Sequence, residues 1–558
     1  MNLLGIWDGH DSGAVLLRDG RIVCAINEER LTRRKLEVAF PQRAIAACLE
    51  QGGIGADEVQ LVACATFDIA KTLTRLWPDS KEKYYRIRRR LDPPSSSNQL
   101  IKLIKYKITE MPGNRWSHWL CERYFYHRML AMGMARSHLL LLDHHRCHAA
   151  CAACGSGFEE GLVLTLDGVG DGLSGSISLM DQGRPRRVAS IAARDSLGIF
   201  FEHVTTLLHM RELEDEGKVM ALADYTTPIE TARNPLLDFF RVDGMRIEAR
   251  FHANDLYRKL AEVYWRLAPE QFAAMAQQTL ETHVIALVRN ALRATNSNRI
   301  ALAGGLFANV RLNGLIRNLP EVTACHVFPH MGDGGLALGA ALCGHPEPVT
   351  PWPDLHLGPE YSDETIAQAI RSSGRNACHL EDPIPVAADL LTTGKIIGWF
   401  QGRMEYGPRA LGGRSVLSLP GLPDIRETLN LRLKKRSWYQ PFCPSMLDGE
   451  AERLLEDHHG PPDRYMTSLY RVKPAFRAQL SGVTGRDGSC RPQMVAHDSS
   501  PFSRLLQAIR QRTGLGVLLN TSFNSHGEPL VCSPQDALNA FAGMGIDALV
   551  MGNWLLQK

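Results

Sequence analysis

The chain begins with a short apolar run, Leu3 to Trp7, that ends at the polar turn Asp8-Gly9-His10-Asp11-Ser12-Gly13. Ala14 to Leu17 and Ile22 to Ile26 follow, with Asp19-Gly20 between them. Apolar runs of this length, separated by Asp-Gly turns, predict three strands and a tight hairpin. The same order returns further on. Leu162 to Leu166, the turn Asp167-Gly168-Val169-Gly170-Asp171-Gly172, Ser174 to Met180, the turn Asp181-Gln182-Gly183 and a run around Val188 to Ile191 predict a second triplet of strands. Two triplets that each open on an Asp-Gly loop point to an internal duplication.

Between the triplets the pattern changes. Leu139 to Leu142 is apolar, and Asp143-His144-His145-Arg146-Cys147-His148-Ala149-Ala150-Cys151-Ala152-Ala153-Cys154 is alanine-rich. Alanine is the best helix former and Asp143 suits an N-cap, so a strand running into a helix is expected. His144 and His148 then share one helix face, where two imidazoles can chelate a divalent metal if oxygen ligands come from elsewhere. Cys147, Cys151 and Cys154 spell C-x3-C-x2-C, a spacing that also suits an iron–sulfur cluster. A third reading has buried free thiols and a satisfied histidine. Residues 71–135 differ again: Arg86, Arg88, Arg89 and Arg90 crowd one stretch, Pro93-Pro94-Ser95-Ser96-Ser97 breaks it, and Tyr124 to Met134 is basic and aromatic. This reads as an exposed insertion; the alternative is a lid or acceptor-binding element that attracts an anionic partner.

Leu256 to Ala294 is mostly helical in pattern. Arg299 to Ala303 predicts a strand entering Gly304-Gly305-Leu306-Phe307-Ala308-Asn309, and Cys325 to Phe328 another before Gly332-Asp333-Gly334-Gly335. Strand, glycine turn and helix in succession can hold phosphate on backbone N–H groups, although neither stretch is a P-loop or G-x-G-x-x-G. The Pro-rich stretch 344–359 marks a domain boundary. Beyond it, Ser362-Asp363-Glu364-Thr365 and Ile384 to Leu391 predict helices, and Lys395 to Phe400 predicts a strand before Gln401 to Ser415. Gly516 to Leu519 predicts a strand entering Asn520-Thr521-Ser522-Phe523-Asn524; Ser533-Pro534 starts a helix, and Asp547 to Met551 is a last strand.

Composition narrows the class. At 558 residues, 44% apolar and 22% charged, the chain suits a globular protein of roughly two to four domains. A net charge of +3 makes no general case for nucleic acid. The 13 scattered cysteines fit a reducing compartment, so a cytoplasmic location is expected. The first residues lack the pattern of a signal peptide, and no apolar stretch reaches the ~18 residues of a membrane span. The C-terminal half holds a cationic and amide set: Arg409, Arg414, Lys434, Lys435, Arg436, Arg491, Asn520, Ser522 and Asn524. Such groups in loops after strands suit phosphate and developing negative charge.

The duplicated triplets, each with an Asp-Gly turn, resemble the actin/hexokinase-like architecture. The full motif series resembles the O-carbamoyltransferases of the NodU/CmcH type. It comprises His10-Asp11-Ser12, Glu28-Glu29-Arg30, the His144/His148 pair, Leu166-Asp167-Gly168, Glu216-Gly217-Lys218 and Gly304-Gly305 with Asn309 and Asn313. It continues through Gly332-Asp333-Gly334-Gly335, Gly407-Pro408-Arg409-Ala410-Leu411-Gly412, Pro441-Phe442, Arg491-Pro492-Gln493 and Asn520-Thr521-Ser522-Phe523-Asn524. Ser437 and Gln440 stand where the family's usual pattern has Glu and Arg.

The resemblance implies an α/β protein with an N-terminal actin/hexokinase-like (Kae-like, ASKHA) duplicated domain and a C-terminal YrdC-like α/β domain. The expected domains are 1–345 and 362–558, joined by a linker at 346–361. It implies an enzyme that makes carbamoyl adenylate from carbamoyl phosphate and ATP, with Mg2+ accompanying ATP, in the second domain. The first domain, holding Fe2+ or a similar divalent metal, would pass the carbamoyl group to a hydroxyl of a small-molecule acceptor. Carried over by motif, His144, His148, Asp167 and Asp333 are the expected metal ligands. His10, Asp11, Glu216 and Lys218 are the expected catalytic residues, with His10 as general base. Gly304, Gly305, Asn309, Asn313, Gly332, Gly334 and Gly335 would hold the adenylate. Arg409, Lys434, Arg436, Arg491, Asn520, Ser522 and Asn524 would bind carbamoyl phosphate and ATP. The alternatives are a tRNA threonylcarbamoyl-type transferase, an iron–sulfur protein and a silent nucleotide-binding scaffold. Nucleic acid is not the expected partner, and the oligomeric state is open, a homodimer being one option.

Overall fold

The computed structural model describes residues 1–93, 108–347, 349, 351–352 and 354–558. It divides into two compact units, Met1–Glu28 with Leu36–Pro353, and Glu29–Lys35 with Asp354–Lys558.

In the first unit, β1 (Asn2–Trp7), β2 (Gly13–Arg18), β3 (Arg21–Asn27), β4 (Leu61–Ala65) and β5 (His138–Leu142) form a sheet of order β3-β2-β1-β4-β5. The first three strands are antiparallel, and β4 and β5 add on parallel to β1. A second sheet starts with β6 (Gly161–Gly170), β7 (Leu173–Asp181) and β8 (Arg184–Ala192). After the hairpin β9 (Phe240–Asp243) and β10 (Arg246–Ala249), it is completed by β11 (Arg299–Ala303) and β12 (Ala324–Val327) in the order β12-β11-β6-β7-β8. Counted from its own first strand, each sheet reads 3-2-1-4-5, with the same antiparallel and parallel pairings. The duplication legible in the Asp-Gly turns is therefore a duplication of topology, and the architecture is actin/hexokinase-like.

Helix His144–Ser156 follows β5 and is capped as the sequence predicts: Arg146 N donates to Asp143 Oδ1 at 2.7 Å. It packs against helix Leu336–Gly344. Small residues set that approach. A Cβ on Gly339 would fall 2.2 Å from the Cys147 carbonyl oxygen, and one on Gly5 in β1 would fall 2.0 Å from that of Ala337. Leu336–Gly344 is thus wedged between β1 and the histidine helix with no room for a methyl group.

The stretch read as an exposed insertion is, where described, built into the unit. It forms helices Ile69–Leu76, Pro78–Arg88 and Arg115–Ala131. Arg75 and Lys81 are buried, and Arg75 makes a two-pronged bond to Asp8 at 2.9 Å on each arm. Arg88 Nε donates to Glu212 at 2.6 Å, and Arg88 also pairs with Glu202. The expectation of solvated charge fails here because these cations meet carboxylates from elsewhere in the unit. Of the predicted break at 93–97, only Pro93 lies within the described residues.

The second unit is α/β, as expected. Its eight-stranded sheet runs β13-β22-β21-β14-β15-β20-β16-β19. The strands are β13 (Cys378–His379), β14 (Ile397–Phe400), β15 (Arg414–Ser418), β16 (Cys443–Leu447), β19 (Gln493–Val495), β20 (Val517–Ser522), β21 (Ala548–Met551) and β22 (Trp554–Gln557). A small ladder, β17 (Tyr470–Arg471) with β18 (Ser489–Cys490), stands beside it. One core joins helices Pro383–Thr392 and Pro501–Thr513 to Trp399 and Leu518; the other joins Asp363–Ser372 and Pro534–Gly543 to Phe400 and Leu549. β20 runs further than predicted, so Asn520 and Ser522 are strand residues rather than loop residues.

Replacing Gly339 by Ala tests the helix wedge. Alanine raises helix propensity, yet overpacking is expected to dominate and cost about 1–3 kcal/mol. Urea unfolding should show a lowered midpoint; an unchanged or raised one contradicts the close approach.

Candidate functional site

Four side chains converge in the first unit. His144 and His148 sit one turn apart on their helix, Asp167 lies in β6 beyond its core pairing, and Asp333 opens the turn after β12. One ligand atom from each lies within 4.8 Å of the others. His144 Nε2 is 3.1 Å from Asp167 Oδ2 and 3.4 Å from Asp333 Oδ1; His148 Nε2 is 3.4 and 3.5 Å from the same two oxygens. Both histidines and Asp333 are buried. Although burial opposes it, the facing imidazoles hold Asp167 well below the usual carboxylate range. Burial likewise opposes charge on His144, yet Asp333 and then Asp167 raise it to about 9.

The quartet passes a simple test as a cation site. Among the described residues, buried His148 Nε2 has no hydrogen-bond partner, although it faces two carboxylate oxygens. A buried polar atom is normally satisfied, so this orphan calls for an ion or a proton. Two imidazole nitrogens and two carboxylates suit a divalent metal of the iron(II) kind. Asp167 is held for such a role by its other oxygen, which accepts from Gly168 N at 2.8 Å and Gly305 N at 3.2 Å.

The residues orienting this quartet are less visible in the sequence. Thr66, just after β4, has φ +71°, a conformation a β-branched residue rarely adopts. It is held there by Thr66 N donating to Leu142 O at 2.7 Å and by Arg75 Nη1 donating to Thr66 O at 2.9 Å. In that pose its hydroxyl meets His144 Nδ1 at 3.0 Å, which fixes the ring and turns Nε2 toward the carboxylates. Asn27 links two turns: its amide donates to Asp11 O at 2.8 Å and Gly334 O at 3.2 Å, and its oxygen meets His330 Nε2 at 3.0 Å. Asp68, the N-cap that starts Ile69–Leu76, was the local signal that something ordered follows β4.

His10 and Asp11 lie at the same place. His10 Nε2 is 3.2 Å from Asp333 Oδ2, and His10 Nδ1 is 3.5 Å from Asp11 Oδ2. The loop is pinned by Trp7 Nε1 donating to His10 O at 2.8 Å. Tyr85 from helix Pro78–Arg88 meets the His10 ring edge-on at 5.7 Å, so the supposed insertion lines the site. Glu216 and Lys218 are turned to local work. Glu216 accepts from Leu213 N at 2.7 Å, with desolvation pushing its carboxyl up to about 8, and Lys218 pairs with Asp215 at 2.7 Å.

The glycine turns also separate by role. Gly304, at φ +102°, leaves no room for a Cβ, which would lie 2.1 Å from Leu166 O. A Cβ on Gly334 would meet the His330 ring at 2.3 Å, and Gly335 N donates to Gly332 O at 3.0 Å. Asn309 caps helix Val310–Arg317 through Leu312 N and exchanges bonds with Gln277; Asn313 donates to Phe307 O at 2.7 Å. Both asparagines brace the turn.

The cysteines of the helix do not converge. Cys147 and Cys151 are buried, Cys151 Sγ donates to Gly335 O at 3.4 Å and Cys154 Sγ to Val349 O at 3.2 Å. Burial pushes all three thiols up. The iron–sulfur alternative is corrected by this geometry: the thiols pack against other backbone, while the histidines of the same helix meet the carboxylates.

The second unit carries a different centre. Arg491 donates to Cys443 Sγ at 2.9 and 3.1 Å, and Arg409 and Arg436 crowd the same thiol. Among the described residues none of Arg409, Lys434, Arg436 and Arg491 forms a salt bridge. Within the same described residues, buried Arg409 Nε and Asn520 Oδ1 have no hydrogen-bond partner. Burial, reinforced by Arg491, pushes Arg409 down to about 9; burial, reinforced by Arg436, pushes Lys434 down to about 7. Lys434 reaches Ser522 O and, at 3.2 Å, Asn524 O and Oδ1, and Ser522 Oγ donates to Asn524 Oδ1 at 2.5 Å. Clustered cations without carboxylates favour an anion. Arg414 does not share this role: fully buried, it donates to Gln401 O and Gly402 O at 3.0 and 3.1 Å and braces the loop. Glu405 Oε1 completes that brace, accepting from the N–H groups of Leu411, Gly413 and Arg414.

The first unit, duplicated and actin-like, thus brings together a His/Asp quartet, and the α/β unit a cluster of cations. The Carbamoyltransferase N-terminus family model matches residues 2–342 and the Carbamoyltransferase C-terminus model residues 388–558. Nodulation protein NolNO of Sinorhizobium fredii is 32% identical over 98% of this chain and 79% of its own length. Nodulation protein NolO of Bradyrhizobium diazoefficiens is 34% identical over 75% of this chain and 79% of its own. The 3'-hydroxymethylcephem-O-carbamoyltransferase of Amycolatopsis lactamdurans is 32% identical over 46% and 48%. The chain belongs to the carbamoyltransferase family and is a transferase.

Two outcomes follow from the geometry. Thr66→Val removes the hydroxyl on His144 and should weaken cobalt(II) or iron(II) binding by about 10–100-fold, measured by anaerobic titration; unchanged affinity removes Thr66 from the account. For Lys434, an anion binds best to the protonated amine. ATP affinity should therefore fall as pH rises from 7 to 8, below the range in which Arg409 titrates, by up to about tenfold per pH unit, and Lys434→Gln should bind weakly with a shallower profile. Calorimetry showing equal slopes for both proteins contradicts the assignment.

Proposed function

We propose that the chain is an ATP-dependent O-carbamoyltransferase whose acceptor is a hydroxyl of a small molecule, a secondary metabolite or a sugar. The supporting observation is the pairing, in one family member, of a His/Asp quartet with a cluster of cations that form no salt bridge among the described residues. That cluster suits activation. Water takes the phosphoryl group of carbamoyl phosphate, the P–O bond breaking to leave phosphate and carbamate; a carbamate oxygen then bonds to the α-phosphorus of ATP and the bond to pyrophosphate breaks, giving carbamoyl adenylate. Arg409, Lys434, Arg436 and Arg491, with Asn520, Ser522 and Asn524, would bind those anionic groups and stabilise charge on the departing oxygens. Mg2+ would accompany ATP.

Transfer needs a positioned alcohol, a base and charge stabilisation. His10 is the base we assign. Burial lowers its basicity, but Asp333 and Asp11 together raise it, and it stands beside the quartet. The acceptor oxygen bonds to the carbamoyl carbon, the bond from that carbon to the AMP oxygen breaks, and the hydroxyl proton passes to His10 Nδ1 or Nε2. His144, His148, Asp167 and Asp333 would hold the divalent metal, which when bound supplies Lewis acidity toward phosphate or carbamoyl oxygen. Gly305 and the 332–335 turn would border the adenylate. Glu216 and Lys218, engaged locally, are left outside the catalytic set. The cephem relative's name is consistent with a small-molecule acceptor. A cytoplasmic location fits the use of ATP, and among the described residues no helix is long and apolar enough to cross a membrane.

Incubating the protein with carbamoyl phosphate, ATP, Mg2+ and iron(II) should release AMP and pyrophosphate, and adding the acceptor should yield a product heavier by one carbamoyl group. Absence of AMP with every metal and acceptor tried contradicts the proposal.

A further inference from the structure

Helix Arg115–Ala131 carries two apolar stripes. Ser117, Cys121, Phe125 and Met129, four apart, are buried against the first unit. The second stripe, Trp116, Trp119, Arg123, Tyr126 and Leu130, recurs at alternating steps of three and four and therefore occupies one face. That face looks outward: Trp116 is 76% exposed, Trp119 46%, Tyr126 50% and Leu130 41%. Single exposed apolar residues need no explanation, but four large ones aligned on one helix form a patch.

The charges around the stripe indicate what covers it. Arg115 and Arg123 are exposed beside the stripe, and Glu122 is the only carboxylate of the helix. Arg123 lies over the Trp119 ring at 5.1 Å, so its guanidinium sits among the stripe's aromatic rings, whereas Arg128 turns away toward Tyr124 and Phe40. A second copy docked through the same face would bring these arginines together, which opposes a dimer here. A polyanion such as RNA would satisfy the arginines but leave Leu130 without a partner. Tryptophan and tyrosine at the level of lipid headgroups, aliphatic groups below and arginine beside anionic lipid together match an interfacial helix.

We propose that this helix lays its outward face on an anionic lipid surface, holding the protein reversibly at a membrane without crossing it. The proposal is independent of the carbamoyl chemistry. The test is flotation of the full chain with vesicles of phosphatidylcholine alone or with about one-third phosphatidylglycerol, at low and high salt. Binding is expected to the anionic vesicles at low salt and to be largely lost at high salt and on neutral vesicles. Trp116→Ala with Trp119→Ala should weaken it at least about tenfold. Arg115→Gln with Arg123→Gln should weaken it roughly thirtyfold. All four positions are exposed, and circular dichroism and ATP binding, unchanged, show that the variants fold. No binding to anionic vesicles, equal binding to neutral ones, or binding untouched by the tryptophan pair overturns the proposal. So does gel filtration in which that pair converts a dimer to a monomer, since a second copy would then be the occupant.

Discussion

The structure of the first unit depends on holding two carboxylates, Asp167 and Asp333, beside two imidazoles inside a protein. Like charges brought together out of water repel strongly, and that arrangement persists only if cationic groups or an ion answer it. His144 and His10, both favoured in their charged form by these carboxylates, supply answering groups, and a divalent metal would answer more fully. The four ligand positions come from three distant parts of the chain, so their meeting is a product of the fold rather than of a local motif. Each sheet ends a strand at the site, and the helix carrying the histidines is wedged by glycines against the helix that follows Asp333.

Around this centre the supporting groups carry strain and burial that would be hard to explain otherwise. Thr66 is kept at positive φ by a buried arginine whose own charge is met by Asp8. The gain is a hydroxyl placed on His144 Nδ1, so the strain sits where it orients a ligand. The helices once read as surface charge provide that arginine and place Tyr85 against His10. In the second unit the balance is opposite: cations gather around Cys443, and among the described residues no acid pairs with them. The proposed function assigns a cation to one cluster and anions to the other.

Much of this was legible in the residues. The repeated Asp-Gly triplets forecast the repeated 3-2-1-4-5 sheets because strand length and turn chemistry are local. The His144/His148 pair was legible because helical spacing is local too, and Asp143 capped the helix as expected. Asp167 and Asp333 came only through resemblance, since no periodicity links residues so far apart. Thr66 and Asn27 gave no signal: each is an ordinary residue made important by a tertiary contact. Arg414 belongs to the cationic set by its position in the motif, yet its bonds to Gln401 O and Gly402 O brace its own loop. The basic stretch near Arg88 misled because charge density alone cannot show that Glu202 and Glu212 wait across the fold.

The central claim is that the quartet holds a metal independently of the anion pocket. The most direct measurement is the metal content of anaerobically prepared protein after iron(II) loading and desalting, with ATP binding measured alongside. The account predicts about one ion per chain for the native protein, and a near-complete loss in Asp167→Asn with ATP binding to the second unit unchanged. Native-level metal in that variant would contradict it.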